Sequence, residues 1–122
     1  MHKENIAETI IEMSRRHGYL AKPLYVMLTE PCSGMDSIAA SLPSHLEYWV
    51  DLEHKDVLFV GGPFLPTGRS DEPAGVGLVI YRASSLQEAI EIAENDPMHL
   101  SGARRFTVKL WLLNHLNAEG LQ

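Results

Sequence analysis

The sequence predicts an α+β domain, a four-stranded antiparallel sheet with two helices on one face and an extra helix before the first strand. Three observations predict it. Four short apolar runs are bounded by Gly, Pro and polar clusters, and helical periodicity fills two of the intervals between them. The chain's 122 residues, 45% of them hydrophobic and 21% charged, suit one domain with a core of its own. There is no internal repeat, low-complexity tract or inter-domain linker.

Ile6, Ile10 and Met13, flanked by Ala7 and Ile11, recur at helical spacing, so an amphipathic helix is expected at about 5–17, capped by Asn5 and stopped at His17-Gly18. Leu24–Leu28, between Pro23 and Pro31, reads as the first strand. A small-residue loop then leads to a second helix, with Ser41 or Leu42 as cap and Pro43 in the first turn, where its missing N–H costs nothing. Leu42, Leu46, Trp49 and Val50 form one face of that helix, which ends near Lys55. Val57–Val60 is the second strand, closed by Gly61-Gly62-Pro63, and the Pro-, Gly- and charge-rich stretch 65–75 is a surface loop. The third strand is 76–81. Ser85 with Glu88 makes a capping box, with Ser84 and Gln87 as an alternative one residue earlier. Leu86, Ala89, Ile90 and Ala93 are the buried stripe of the next helix, which Asp96-Pro97 ends. Phe106, Val108, Leu110 and Leu112 alternate with Arg105, Thr107 and Lys109 in the fourth strand.

Leaving the first helix aside, the order is βαββαβ, the ferredoxin-like split βαβ arrangement. Three of the strands are apolar at nearly every position, which a sheet covered on one face does not require. Either the first helix covers the second face or packs against a partner, or the sheet packs on another copy; a symmetric dimer is the commoner solution.

Composition excludes several function classes. A formal charge of −6 disfavours general affinity for nucleic acid or anionic lipid. No apolar run approaches a membrane span, and no uninterrupted apolar stretch follows the N-terminus, so a cytoplasmic protein is expected. One cysteine, Cys32, allows neither an internal disulfide nor a cysteine zinc cluster, and it reads as a bystander thiol. Of the six histidines none sits four residues from another, and no metal or other cofactor is expected. Gly61, Gly62, Gly75 and Gly77 lack a phosphate-loop pattern and read as turn positions. Trp49 and Trp111 read as packing residues.

The topology brings distant polar residues together. If the first strand runs up, His45, Gly62-Pro63-Phe64, Arg69, Asp96 and Arg104 all fall at the upper end of the sheet. His45 is placed in the first turn of its helix, where the N-terminal dipole disfavours imidazolium and a carboxylate favours it. A His–carboxylate pair in a cleft is minimal equipment for acid–base catalysis: the carboxylate fixes the tautomer and the free nitrogen moves the proton. The plainer alternative is a solvated His45 and an Asp96 that only ends a helix. Alternation turns only one of Arg104 and Arg105 inward, and a solvated edge pair is the simpler reading of the two.

The same residues carry a family resemblance. Leu24–Leu28, His45-Leu46-Glu47-Tyr48-Trp49, 60–64 (Val-Gly-Gly-Pro-Phe), 81–89, Ala93-Glu94-Asn95-Asp96-Pro97 and 107–111 (Thr-Val-Lys-Leu-Trp) occur in the order of the YCII-related family, which the chain resembles from about residue 23 to 113. The resemblance implies a ferredoxin-like domain at 23–114, between an N-terminal helical extension (1–22) and a C-terminal tail (115–122). It also implies homodimers related to the dimeric α/β barrels, and a His–Asp active-site pair that carries onto His45 and Asp96. A characterised relative is a dehydrochlorinase acting on a chlorinated hydroxyquinol, so the resemblance implies dehydrochlorinase-like or muconolactone-isomerase-like chemistry. The chain departs from the pattern in its first 22 residues, at Met98 after Asp-Pro, and at Leu110 before the late tryptophan.

The expected function is a cofactor-independent lyase or isomerase acting on a small acidic or aromatic molecule. Asp96 orients His45, Arg69 or Arg104 binds negative charge, and Gly62 and Pro63 shape the wall. The alternative is a non-catalytic small-molecule-binding or sensing dimer that uses the same cleft.

Overall fold

The computed structural model describes residues 3–117. The elements run α1 (Lys3–Arg16), β1 (Lys22–Pro31), α2 (Met35–His54), β2 (Leu58–Pro63), β3 (Gly77–Tyr81), α3 (Leu86–Glu94), α4 (Pro97–Leu100) and β4 (Arg104–Leu113). The four strands form one antiparallel sheet in the order β2-β3-β1-β4, the ferredoxin-like order expected from the sequence. The chain divides into two compact units, one of residues 25–109 and one built from its two ends, up to residue 24 and from residue 110.

In the larger unit the pairing of Met27 with Val79 and of Tyr25 with Tyr81 sets which side chains share a face. Met27, Val79 and Tyr81 are buried with Leu52 of α2 and Ala93 of α3, and Phe106 and Val108 pack against them. The opposite face carries Val26, Leu28, Leu78 and Ile80, with Val60 of β2 opposite Ile80.

Two elements depart from the sequence reading. Helix α2 starts at Met35, not Ser41, so Pro43 lies inside it and His45 sits deep in the helix, beyond the reach of the N-terminal dipole. Residues 35–42 carry nothing that opposes helix, and Gly34, at φ 90°, caps the start through its backbone without a side-chain bond. Gly61-Gly62-Pro63 belong to β2 instead of ending it, since they pair with Val79, Leu78 and Gly77 of β3, and an irregularity between Leu58 and Val60 shifts the register before them. Pro63 is tolerated because β2 is an edge strand. Gly61 lies over Val79, where an added Cβ would come 3.4 Å from Val79 Cγ2.

Other elements follow the sequence closely. Ser85 Oγ accepts from the Glu88 amide, while the Glu88 carboxylate accepts from the amide and hydroxyl of Ser84. Asp96 both follows α3 and caps α4, with Pro97 in the first turn.

In the unit formed by the chain ends, Leu20 N donates to Asn114 O and Asn114 Nδ2 donates to Ser14 Oγ. Ala7, Ile10 and Ile11 line a hollow of about 150 Å³ with Pro23 and Leu110–Leu112. In α1, Ile6, Ile10 and Met13 are exposed and Ser14 is buried. Ala7 and Ile11, which flank the expected stripe, are half-buried on the same side of the helix as Ser14.

Candidate active site

The larger unit holds a cavity of about 380 Å³, lined by residues of α2, of α4 and its cap, and of the strands. His45 comes from the middle of α2, and Asp96 from the turn that caps α4. The His45 Nδ1 lies 2.8 Å from Asp96 Oδ1 and 2.9 Å from Oδ2. An ionised carboxylate only accepts, so Nδ1 carries the hydrogen and, in the neutral ring, Nε2 carries the lone pair. Nε2 has no hydrogen-bond partner among the described residues, and His45 lines the cavity.

Asp96 is 1% exposed yet fully served with donors. Besides His45, its oxygens accept from Trp49 Nε1 and from the Met98 amide, each at 2.9 Å. Burial raises its pKa, but the bonds from His45, the Met98 amide and Trp49 outweigh burial and hold it below the ordinary 3.8. The ionised form is the stable one at neutral pH. Trp49 stands four residues after His45, one turn along the same helix face, and their ring centroids are 4.7 Å apart. That spacing is the signal that could have moved Trp49 from packing residue to Asp96 donor. Tyr48 is a neighbour held in place: its hydroxyl donates to Ile92 O at 2.6 Å. Tyr81 is fully buried beneath the site, and burial followed by the nearby Asp96 pushes its phenol far above its usual range.

Of the other sequence-derived candidates, Gly62, Pro63 and Arg104 line the same cavity. Arg104 donates through Nε to Thr29 Oγ1 and through Nη2 to Thr29 O, each at 3.0 Å, and through Nη2 to Gly75 O. Its neighbour Arg105 is exposed and pairs with Glu30 at 2.6 Å, so alternation turns one arginine in and the other out. Arg69 does not join the cavity. It sits in the 64–76 loop, pairs with Asp71 at 3.2 Å, and lines an adjacent cleft of about 630 Å³ with Phe64 and Leu65. A long loop leaves its middle free to find a local partner, and topology fixes only its ends. Thr29 and His99, which the sequence did not single out, line the cavity beside Arg104. Cys32 is exposed, with Sγ 3.2 Å from Gly102 O. Among the described residues no group of three or more His, Cys, Asp or Glu side chains is placed to hold a metal ion, and no helix is long and apolar enough to cross a membrane.

A ferredoxin-like sheet with a buried carboxylate holding a histidine over a small cavity defines the class of this protein by its architecture. The particular family is set by comparison: the YCII-related domain matches residues 23–112, and the chain belongs to that family. It is 33% identical over 89 residues to the uncharacterised protein YjpA of Bacillus subtilis strain 168, an alignment covering 73% of this chain and 94% of YjpA. It is similar in structure to 5-chloro-2-hydroxyhydroquinone dehydrochlorinase (TftG) from Burkholderia phenoliruptrix AC1100, solved in complex with 2,5-dihydroxybenzoquinone. That similarity has a TM-score of 0.54 at 25% identity and covers 72% of this chain and 92% of the other.

Proposed function

We propose that this protein is a lyase or isomerase that moves a proton on a small acidic or aromatic molecule, using only groups the chain supplies. One observation carries the reading: the His45 Nδ1 bound to both oxygens of a buried Asp96, with Nε2 left unpaired at a cavity. In this reading Nε2 takes a proton from a carbon next to a carbonyl, or from an enol, and returns it at a second position or as a leaving group departs. Asp96 keeps the ring in the productive tautomer and stabilises the imidazolium formed, as the carboxylate of any His–Asp pair does. Gly62 and Pro63 shape the wall, and Arg104 supplies positive charge for an acidic group. Among the described residues Arg104 has no carboxylate partner within ion-pair distance, so an anionic ligand would be its first. The dehydrochlorinase neighbour supports an eliminating or isomerising enzyme, and its bound quinone supports a flat, polar-edged ligand.

The same cavity has apolar walls in Met27, Ile38, Leu42, Val79 and Met98, which favours a second reading, a ligand-binding or sensing protein without turnover. Proton exchange separates the two. Incubated in D2O with a panel of small keto acids, lactones and hydroxyquinones, the native protein is expected to exchange a substrate C–H that His45→Gln leaves untouched. Binding of 2,5-dihydroxybenzoquinone with no exchange in any compound would overturn catalysis and leave the binding reading. We infer further that the unit of function is a homodimer formed through the outer sheet face, which is apolar across three strands.

A further inference from the structure

Three side chains in this cavity form a directed hydrogen-bond chain that the His45–Asp96 pair does not use. His99 Nδ1 is 2.6 Å from the Ala93 carbonyl oxygen, which only accepts, so Nδ1 carries the hydrogen. In the neutral ring Nε2 is then an acceptor, and Thr29 Oγ1 lies 2.8 Å from it. Thr29 has one hydroxyl hydrogen and donates it to His99, while its oxygen accepts from Arg104 Nε. The order is Arg104 to Thr29 to His99 to Ala93. The His99 ring is also held against Phe106, with centroids 4.6 Å apart.

Protonation of His99 would reverse one link. Nε2–H would donate to Thr29 Oγ1, whose two lone pairs can serve both His99 and Arg104. The Thr29 hydroxyl hydrogen, no longer held by His99, would be free to donate to a molecule in the cavity that Thr29 lines. The cost of that state is electrostatic: a second cation beside Arg104, which an anion in the cavity would neutralise.

We propose that Thr29, His99 and Arg104 form a carboxylate subsite in which ligand binding is coupled to the uptake of one proton by His99. The carboxylate is held by the guanidinium, whose Nη1 has no partner among the described residues, and by the released Thr29 hydroxyl. The proton comes from solvent and no covalent bond changes. The charged and titratable groups around His99 are Asp96 at the cap of its own helix, Arg104 on β4 and His45 on α2. Arg104 and His45 oppose the added charge and Asp96 favours it, with burial the largest influence against it.

This inference rests on the reading that the cavity takes an acidic ligand, and benzoate and benzamide serve as probes that separate the two. Affinities are measured between about pH 8 and about pH 5, with the His99 ring followed by NMR in the same samples. Benzoate is expected to bind in preference to benzamide, with an affinity rising up to about tenfold per pH unit as His99 gains its proton. The His99 titration midpoint should rise when benzoate is saturating. In His99→Gln the benzoate preference should persist while the pH slope flattens, and Thr29→Val should flatten it with His99 still present. Benzoate binding that leaves the His99 midpoint unmoved would overturn the proposal. So would a slope that survives in His99→Gln and disappears in His45→Gln. Equal binding of benzamide and benzoate, or no benzoate-dependent shift at any cavity residue, would instead overturn the acidic-ligand reading beneath it.

Discussion

Asp96 shows how much one buried carboxylate can organise. It follows α3, caps α4 and accepts from two residues of α2, so its ionisation is tied to the stability of the fold as well as to the site. Its pKa is lowered in the folded protein, so it contributes stability above the unfolded value that is lost as pH falls through the folded one. Trp49→Phe removes one donor and should cost about 1–3 kcal/mol in urea denaturation, with the acid limb of stability moving to higher pH. His99 behaves as a base instead. Burial lowers its pKa below 6.5, so the unfolded chain binds the extra proton first and stability falls as pH drops below that value. His99→Gln should abolish this upper step of the pH–stability profile and leave the lower, Asp96-dependent step in place. At Gly75, φ is 76° and an added Cβ would stand 2.9 Å from Pro31 Cγ. Gly75→Ala should therefore destabilise the protein and, by moving the carbonyl that receives Arg104, weaken benzoate binding more than benzamide binding. Topology placed His45 and Asp96 at one end of the sheet together with Arg69, which does not join them, and it was the resemblance to the YCII-related family that singled out the pair. Thr29 and His99 were not legible, since a threonine in a strand and a histidine in a four-residue helix carry no spacing that marks them as partners.

Helix boundaries were readable where a side chain makes the cap and unreadable where the backbone does. The Ser85–Glu88 box announces α3, and Ser85→Ala should cost about 1 kcal/mol, measured by chemical denaturation. The start of α2 is set by Gly34 with no side-chain signal, and Pro43 looks like a first-turn proline although it stands inside the helix. There it removes the amide that would serve the carbonyl of Ala39 and crowds the same turn. Pro43→Ala restores that bond at an exposed position, and the expected result is a gain of up to about 3 kcal/mol. An unchanged or lowered midpoint would mean that α2 has adapted its packing to the proline. The irregularity in β2 was likewise invisible, because strand periodicity predicts which residues alternate and says nothing of where a partner strand skips one.

At the scale of the whole molecule, the question is where an apolar fraction of 45% goes in a chain this short. The helix-facing side of the sheet accounts for Met27, Val79 and Tyr81; on the opposite side Ile80 is buried, while Leu28 and Val60 are exposed and Val26 and Leu78 half-buried. Val60 is 45% exposed at the edge strand, and Phe64 just beyond it is 56% exposed. A contiguous apolar face of this kind, rimmed by the charges of the 64–76 loop, is what an interface requires and what an isolated monomer rarely keeps. Glu30, which alternation places on this face with Val26 and Leu28, is paired with Arg105, so its charge is offset locally. Sedimentation equilibrium should therefore report a dimer at micromolar concentration. Val60→Asp, which sets a charge opposite Ile80 on that face, should shift the protein to monomer, with its circular dichroism unchanged. Leu46→Asp, on an exposed turn of α2 away from the sheet, serves as the control and should leave the dimer intact. A protein that stays monomeric at every concentration, or a dimer indifferent to Val60→Asp and Leu28→Asp, would show that the outer face of the sheet is not where two copies meet.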